Sequence, residues 1–116
     1  MLRWPEPRQV DEAARSWAAR EAPRHPGLIR IGYFGSYARG DAGVGSDLDL
    51  VALVEAAAEP FASRGVAWEL ESLPVPAEIL VYTRAEWDRL REGGGRLGAV
   101  LAHETVWVWP ATPPGG

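Results

Sequence analysis

The sequence predicts a small α/β (α+β) fold, with one mixed central sheet flanked by helices. Three observations carry this. Short runs rich in Val, Ile, Leu, Tyr and Trp alternate with Ala-, Glu- and Arg-rich segments of helical spacing. Hydrophobic residues make up 47% and charged residues 24%, the proportions of a globular protein. A chain of 116 residues can bury one core but not two. Residues 1–116 are therefore expected to form a single domain, with an irregular lead-in at 1–9 and a flexible tail at 110–116.

The elements follow in order. Trp4–Arg8 holds two prolines and predicts an irregular lead-in. Asp11–Ala22 (DEAARSWAAREA) is made of good helix formers, with Val10, Ala14, Trp17 and Ala18 on one face. Pro23, Pro26 and Gly27 end it. Leu28–Phe34 (LIRIGYF) predicts a first strand. Gly35-Ser36 is a tight turn into a short helix at Tyr37–Arg39, and Asp41–Gly45 a flexible loop. Ser46–Val54 (SDLDLVALV) predicts a second strand whose nearly continuous apolar end suits a buried central position. Pro60–Arg64 is a short helix candidate and Gly65–Leu70 (GVAWEL) a further strand candidate. Leu73–Pro76 is stiffened by its prolines. Ala77–Tyr82 (AEILVY) predicts a third strand. Thr83 and Glu86 form a capping box for a helix over Arg84–Glu92. A last helix over Arg96–His103 and a strand over Thr105–Trp109 complete the series.

Composition removes whole classes of chemistry. With no cysteine, disulfides, zinc fingers, iron–sulfur clusters and Cys nucleophiles are excluded. His25 and His103 are too few for a His-rich metal site, so a metal would be held by oxygen: Mg²⁺, Mn²⁺ or Ca²⁺. All twelve basic residues are arginine, which excludes a phosphate-binding lysine of the Walker type and Schiff-base chemistry. A net charge of −4 argues against broad nucleic-acid binding, so nucleic acid is not expected as a direct substrate. No apolar run reaches the roughly 20 residues that span a bilayer. The N-terminus lacks the apolar centre of a signal peptide. The expected location is cytoplasmic, with no membrane partner.

The stretch Gly35–Leu50 (GSYARGDAGVGSDLDL) concentrates the chemistry. On a strand, Asp47 and Asp49 point to one face, roughly 6–7 Å apart, with Leu48 and Leu50 facing the core. Adjacent carboxylates repel, and a divalent cation between them removes that penalty. A solvated strand end is the plain alternative for such a pair. Gly35 lets the backbone approach a phosphate closely, and a turn into a helix aims free N–H groups at it. Pairing the two strands brings the Gly35-Ser36 turn and the aspartates to the same edge of the sheet. Without lysine, Arg39 is the nearest candidate phosphate clamp, or else an ion-pair partner of Asp41. Tyr37 is a candidate for base stacking or core packing. Trp107 and Trp109 are candidates for core on one face and a partner surface on the other, and His103 for a helix-end surface residue.

Gly35-Ser36-x-Ala38-Arg39-Gly40 followed by Ser46-Asp47-x-Asp49-Leu50 resembles the signature of the minimal nucleotidyltransferases of the DNA polymerase β-like superfamily, some of which pair with HEPN proteins. The likeness continues through LPVPAEILVYTRAEW. It implies the nucleotidyltransferase, or polymerase β palm-like, fold. It also implies that Gly35, Ser36, Arg39 and Ser46 hold a nucleoside triphosphate, ATP above all. Asp47, Asp49 and a third carboxylate would then bind two Mg²⁺ ions, with Mn²⁺ as a substitute. Glu78 matches the third position, where the family more often has Asp; Glu69 and Glu71 are rivals. The implied activity is transfer of AMP to a hydroxyl of a partner protein, the chain acting as antitoxin to a HEPN-domain toxin. Neutralisation of the partner by occlusion and an aminoglycoside-type small-molecule nucleotidyltransferase are the alternatives.

Overall fold

The computed structural model describes residues 3–111. Helix α1 (Pro7–Glu21) leads into strand β1 (Leu28–Phe34), the single turn α2 (Ser36–Arg39) and strand β2 (Leu48–Val54). A 22-residue crossover containing a 3-10 helix (Phe61–Ala67) reaches β3 (Ala77–Thr83). Then come α3 (Arg84–Glu92), α4 (Arg96–Glu104) and β4 (Val106–Trp109).

The four described strands form one mixed sheet in the order β3-β2-β1-β4. β1 runs antiparallel to β2 and β4, while β2 and β3 are parallel. The strand order follows from burial. Six of the seven β2 side chains are buried, so β2 must have a neighbour on each side and a layer over each face. On one face Leu48, Leu50, Ala52 and Val54 pack under α1, around Trp17. On the other, Val51 and Leu53 pack with Trp87 of α3 and Leu101 of α4. No described helix is long and apolar enough to cross a membrane.

β1 and α3 have the predicted bounds, and the Thr83–Glu86 capping box is made in both directions. Other elements differ. α1 begins at Pro7 rather than Asp11. Proline suits the first helical position, and the Glu6 N–H donates to Gln9 Oε1 at 2.8 Å, so the start is capped within the expected lead-in. β2 begins at Leu48 because Ser46 closes a turn: its Oγ accepts from the Gly43 N–H at 2.9 Å, and its own N–H donates to the Gly43 carbonyl.

Gly65–Leu70 is not a strand. The 3-10 helix runs through Ala67, and Trp68 then turns inward beneath α1, where His25 stacks on it at 3.6 Å. Arg64 pins this segment to the sheet through the Val81 and Glu59 carbonyls and the Glu86 carboxylate. A buried guanidinium that needs those partners leaves no room for a ladder. Trp107 and Trp109 both turn to the core, on opposite faces. A register shift in the β1–β4 ladder accompanies this, so the two side chains do not share a face. The part of the expected tail at 112–116 lies outside the described residues.

Candidate active site

The sheet gathers the predicted acids along one rim. Register pairs Phe34 of β1 with Asp49 of β2, and Asp49 with Glu78 of β3. Paired residues share a face, so the Asp49 and Glu78 side chains stand side by side, with Cβ atoms roughly 5 Å apart. Asp47 precedes β2 by one residue and lies close enough to act on Asp49. Asp49 is half-buried, whereas Asp47 and Glu78 are exposed. Burial, then the Glu78 charge and the Asp47 charge, raise the Asp49 carboxyl above its ordinary value; Arg39 partly offsets them. The cost of this arrangement is electrostatic, and Arg39 offsets only part of it.

The Gly35 turn is locked to the same spot. Gly35 has φ 77° and ψ −150°, a conformation open to glycine and strained for other residues. A Cβ there would run into the Asp49 carboxylate. The Gly35 carbonyl accepts from the N–H groups of Ala38 and Arg39, both at 3.0 Å, which closes α2. The Ser36 and Tyr37 N–H groups at its head donate to no other described backbone group.

The remaining predicted residues fall into place around this row. Arg39 donates from Nε to Asp41 at 3.3 Å and from Nη1 to Glu104 at 3.1 Å. Ser46 holds the loop turn described above. Tyr37 is buried, its hydroxyl directed at the Ser46 carbonyl at 3.4 Å, so it packs rather than stacks. His103 is exposed in the last turn of α4. Glu69 is engaged elsewhere: its carboxylate accepts from the Ser72 N–H, which lowers its pKa, and its carbonyl accepts from the Trp17 indole. Sequence reasoning passed over Glu104, the partner of Arg39, which lies 65 residues from it and carries no local signal.

Carboxylate oxygens are the donors that suit Mg²⁺ or Mn²⁺. Among the described residues no three His, Cys, Asp or Glu side chains are grouped closely enough to hold a metal ion by themselves. Mg²⁺ is usually held by one or two carboxylates together with substrate phosphates and water, so Asp49 with one neighbouring acid fits it.

Residues 16–93 match the family model of the nucleotidyltransferase domain, a span that contains the Gly35-Ser36 turn and all three acids. The chain belongs to the nucleotidyltransferase family. Its mixed sheet and helices are similar to the crystal structure of a candidate nucleotidyltransferase from Sulfolobus solfataricus. The two are 22% identical with a TM-score of 0.60, over 87% of this chain and 80% of that one. A crystal structure of a toxin–antitoxin with AMP-PNP is similar at 18% identity and a TM-score of 0.54, over 85% of this chain and 72% of that one. No curated protein matches the chain. Family and fold agree with the minimal nucleotidyltransferases that the motif resembles.

Proposed function

We propose that this nucleotidyltransferase moves AMP from ATP to a hydroxyl of a partner protein. On this reading it is the antitoxin of a cytoplasmic toxin–antitoxin pair whose toxin is a HEPN protein. The observation that carries the reading is Asp49, two residues after Asp47, in register with Glu78 and set against the Gly35 turn. The likeness to a toxin–antitoxin with AMP-PNP supports the partner and the nucleotide.

The reaction needs little from side chains beyond placement. The acceptor oxygen bonds to the α-phosphorus, the bond to the bridging oxygen on its far side breaks, and pyrophosphate leaves. Asp47, Asp49 and Glu78 would hold the two Mg²⁺ ions, which when bound would supply charge neutralisation and acidify the attacking hydroxyl. Gly35, Ser36 and Arg39 hold the triphosphate, Ser46 fixes the loop beside it, and Glu78 takes up the proton.

The test is incubation with Mg²⁺, ATP labelled at the α-phosphate and the HEPN-like protein encoded beside it. Label on a partner tyrosine is expected, and its loss in the Asp47→Ala/Asp49→Ala double variant. Wild-type protein that transfers no label overturns the reading. The alternative reading is neutralisation by occlusion. Under it the double variant inhibits the partner as well as wild type does.

A further inference from the structure

Arg39 is oriented by a residue far along the chain. Its Nε donates to Asp41, two residues away and itself largely exposed, and its Nη1 donates to Glu104, only 19% exposed. A guanidinium has five N–H bonds, so two spent on these partners leave three directed elsewhere. The Arg39 charge also reaches Asp49, which places the guanidinium within electrostatic range of the acid row.

Glu104 is an unfavourable choice for its own helix. It ends the nine-residue α4, where the partial negative charge of the helix terminus disfavours an acid. Its backbone is nonetheless fixed, because the Thr105 hydroxyl donates to the Leu101 carbonyl at 2.7 Å and β4 starts one residue later. An anion held rigidly where the helix opposes it, and bonded to the arginine whose charge reaches Asp49, is explained by what it does to that arginine.

We propose that Glu104 is a positioning residue for nucleotide: it holds the Arg39 guanidinium at the rim of the carboxylate row with its free N–H edge available to a triphosphate. This rests on the nucleotidyltransferase reading and adds to it a residue outside the motif. Arg39 touches the phosphates; Glu104 acts through it.

The test is the affinity for Mg²⁺–ATP by titration calorimetry, with melting temperatures recorded in EDTA. Glu104→Ala is expected to weaken binding about five-fold, the loss of one partly exposed ion pair. Glu104→Gln keeps the Oε1 acceptor and is expected to stay within about two-fold of wild type. In an Arg39→Ala background, Glu104→Ala is expected to do nothing more. If Glu104→Ala does not fold, Glu104→Asp withdraws the same oxygen by one methylene and should show the loss instead. Unchanged or tighter binding overturns the proposal, as does Gln behaving like Ala or full additivity with Arg39→Ala, while the nucleotidyltransferase reading stands. Wild-type protein that does not bind Mg²⁺–ATP overturns both.

Discussion

Gly35→Ala probes the contact between the turn and the acid row. Two costs add. The backbone at φ 77°, ψ −150° lies where a Cβ is strained, at about 2 kcal/mol. The new methyl also displaces the Asp49 carboxylate, an overpacking cost of about 1 kcal/mol or more. Gly40 is the matched control: its φ is 84°, but nothing lies within 4 Å of its missing Cβ. Gly40→Ala should therefore cost only the left-handed term, about 1 kcal/mol. At roughly 4 °C per kcal/mol, the two melting temperatures should fall by about 12 °C and about 4 °C. The assay is thermal unfolding by circular dichroism in EDTA, repeated with Asp49→Ala. Removing the carboxylate makes room for the methyl, so the Gly35→Ala/Asp49→Ala pair should recover about 1 kcal/mol relative to additivity. Alanine variants that melt within about 2 °C of each other, with no coupling to Asp49, would refute the claim that the turn is seated on that carboxylate.

Three further outcomes are expected. Asp49→Asn removes a charge that burial, Glu78 and Asp47 all oppose, so it should raise the melting temperature in EDTA while abolishing the proposed nucleotidyl transfer; a lower melting temperature would contradict the like-charge account. The Glu86 carboxyl is held down to about 2 by Arg64 first and then by the capping bond to Thr83. Its contribution is present above its ordinary value of 4.5 and is lost as pH falls towards about 2, so Glu86→Gln should be less stable than wild type to urea at pH 7 and equal to it near pH 2. In Gly32→Ala the new methyl would meet the Val106 carbonyl at 2.7 Å and the Trp107 ring at 2.8 Å, which should loosen β4 from β1 at a cost of about 2 kcal/mol, read as faster amide exchange in β4.

The local elements were legible because each is written in a short window. β1 is a compact apolar run of seven residues closed by the glycine turn, and Thr83 with Glu86 marks the start of α3 unambiguously. The aspartates were legible as a pair, since alternation along a strand needs no knowledge of the partner. Their alignment with Glu78 was not: the Asp49–Glu78 register is set by a 22-residue crossover and by two cores closing on β2, and at the sequence level only the family resemblance supplied it. The segment at Gly65–Leu70 misled for the same reason. Its Val and Trp suit a strand, but Trp68 is claimed by His25 and Trp17, and Arg64 by Glu86, all distant in sequence.

The position of the acid row on β2 follows from the burial of that strand. From Leu50 onward both faces of β2 are closed, by α1 on one side and by Trp87 and Leu101 on the other, so no carboxylate is tolerated further along. Asp49 is the last residue on its face before that closure. Its backbone is fixed by ladders to β1 and β3, and its side chain is confined by the Gly35 turn. Asp47 and Glu78 therefore cannot relieve their repulsion by pulling the strand away; they can only swing into solvent. On the proposed reading, a cation at this rim would meet Asp49 and Glu78 already set side by side by the folded sheet, so part of the cost of gathering like charges would be met by folding rather than by binding. The edge position of β3 likewise tolerates the longer glutamate, since Glu78 is exposed there.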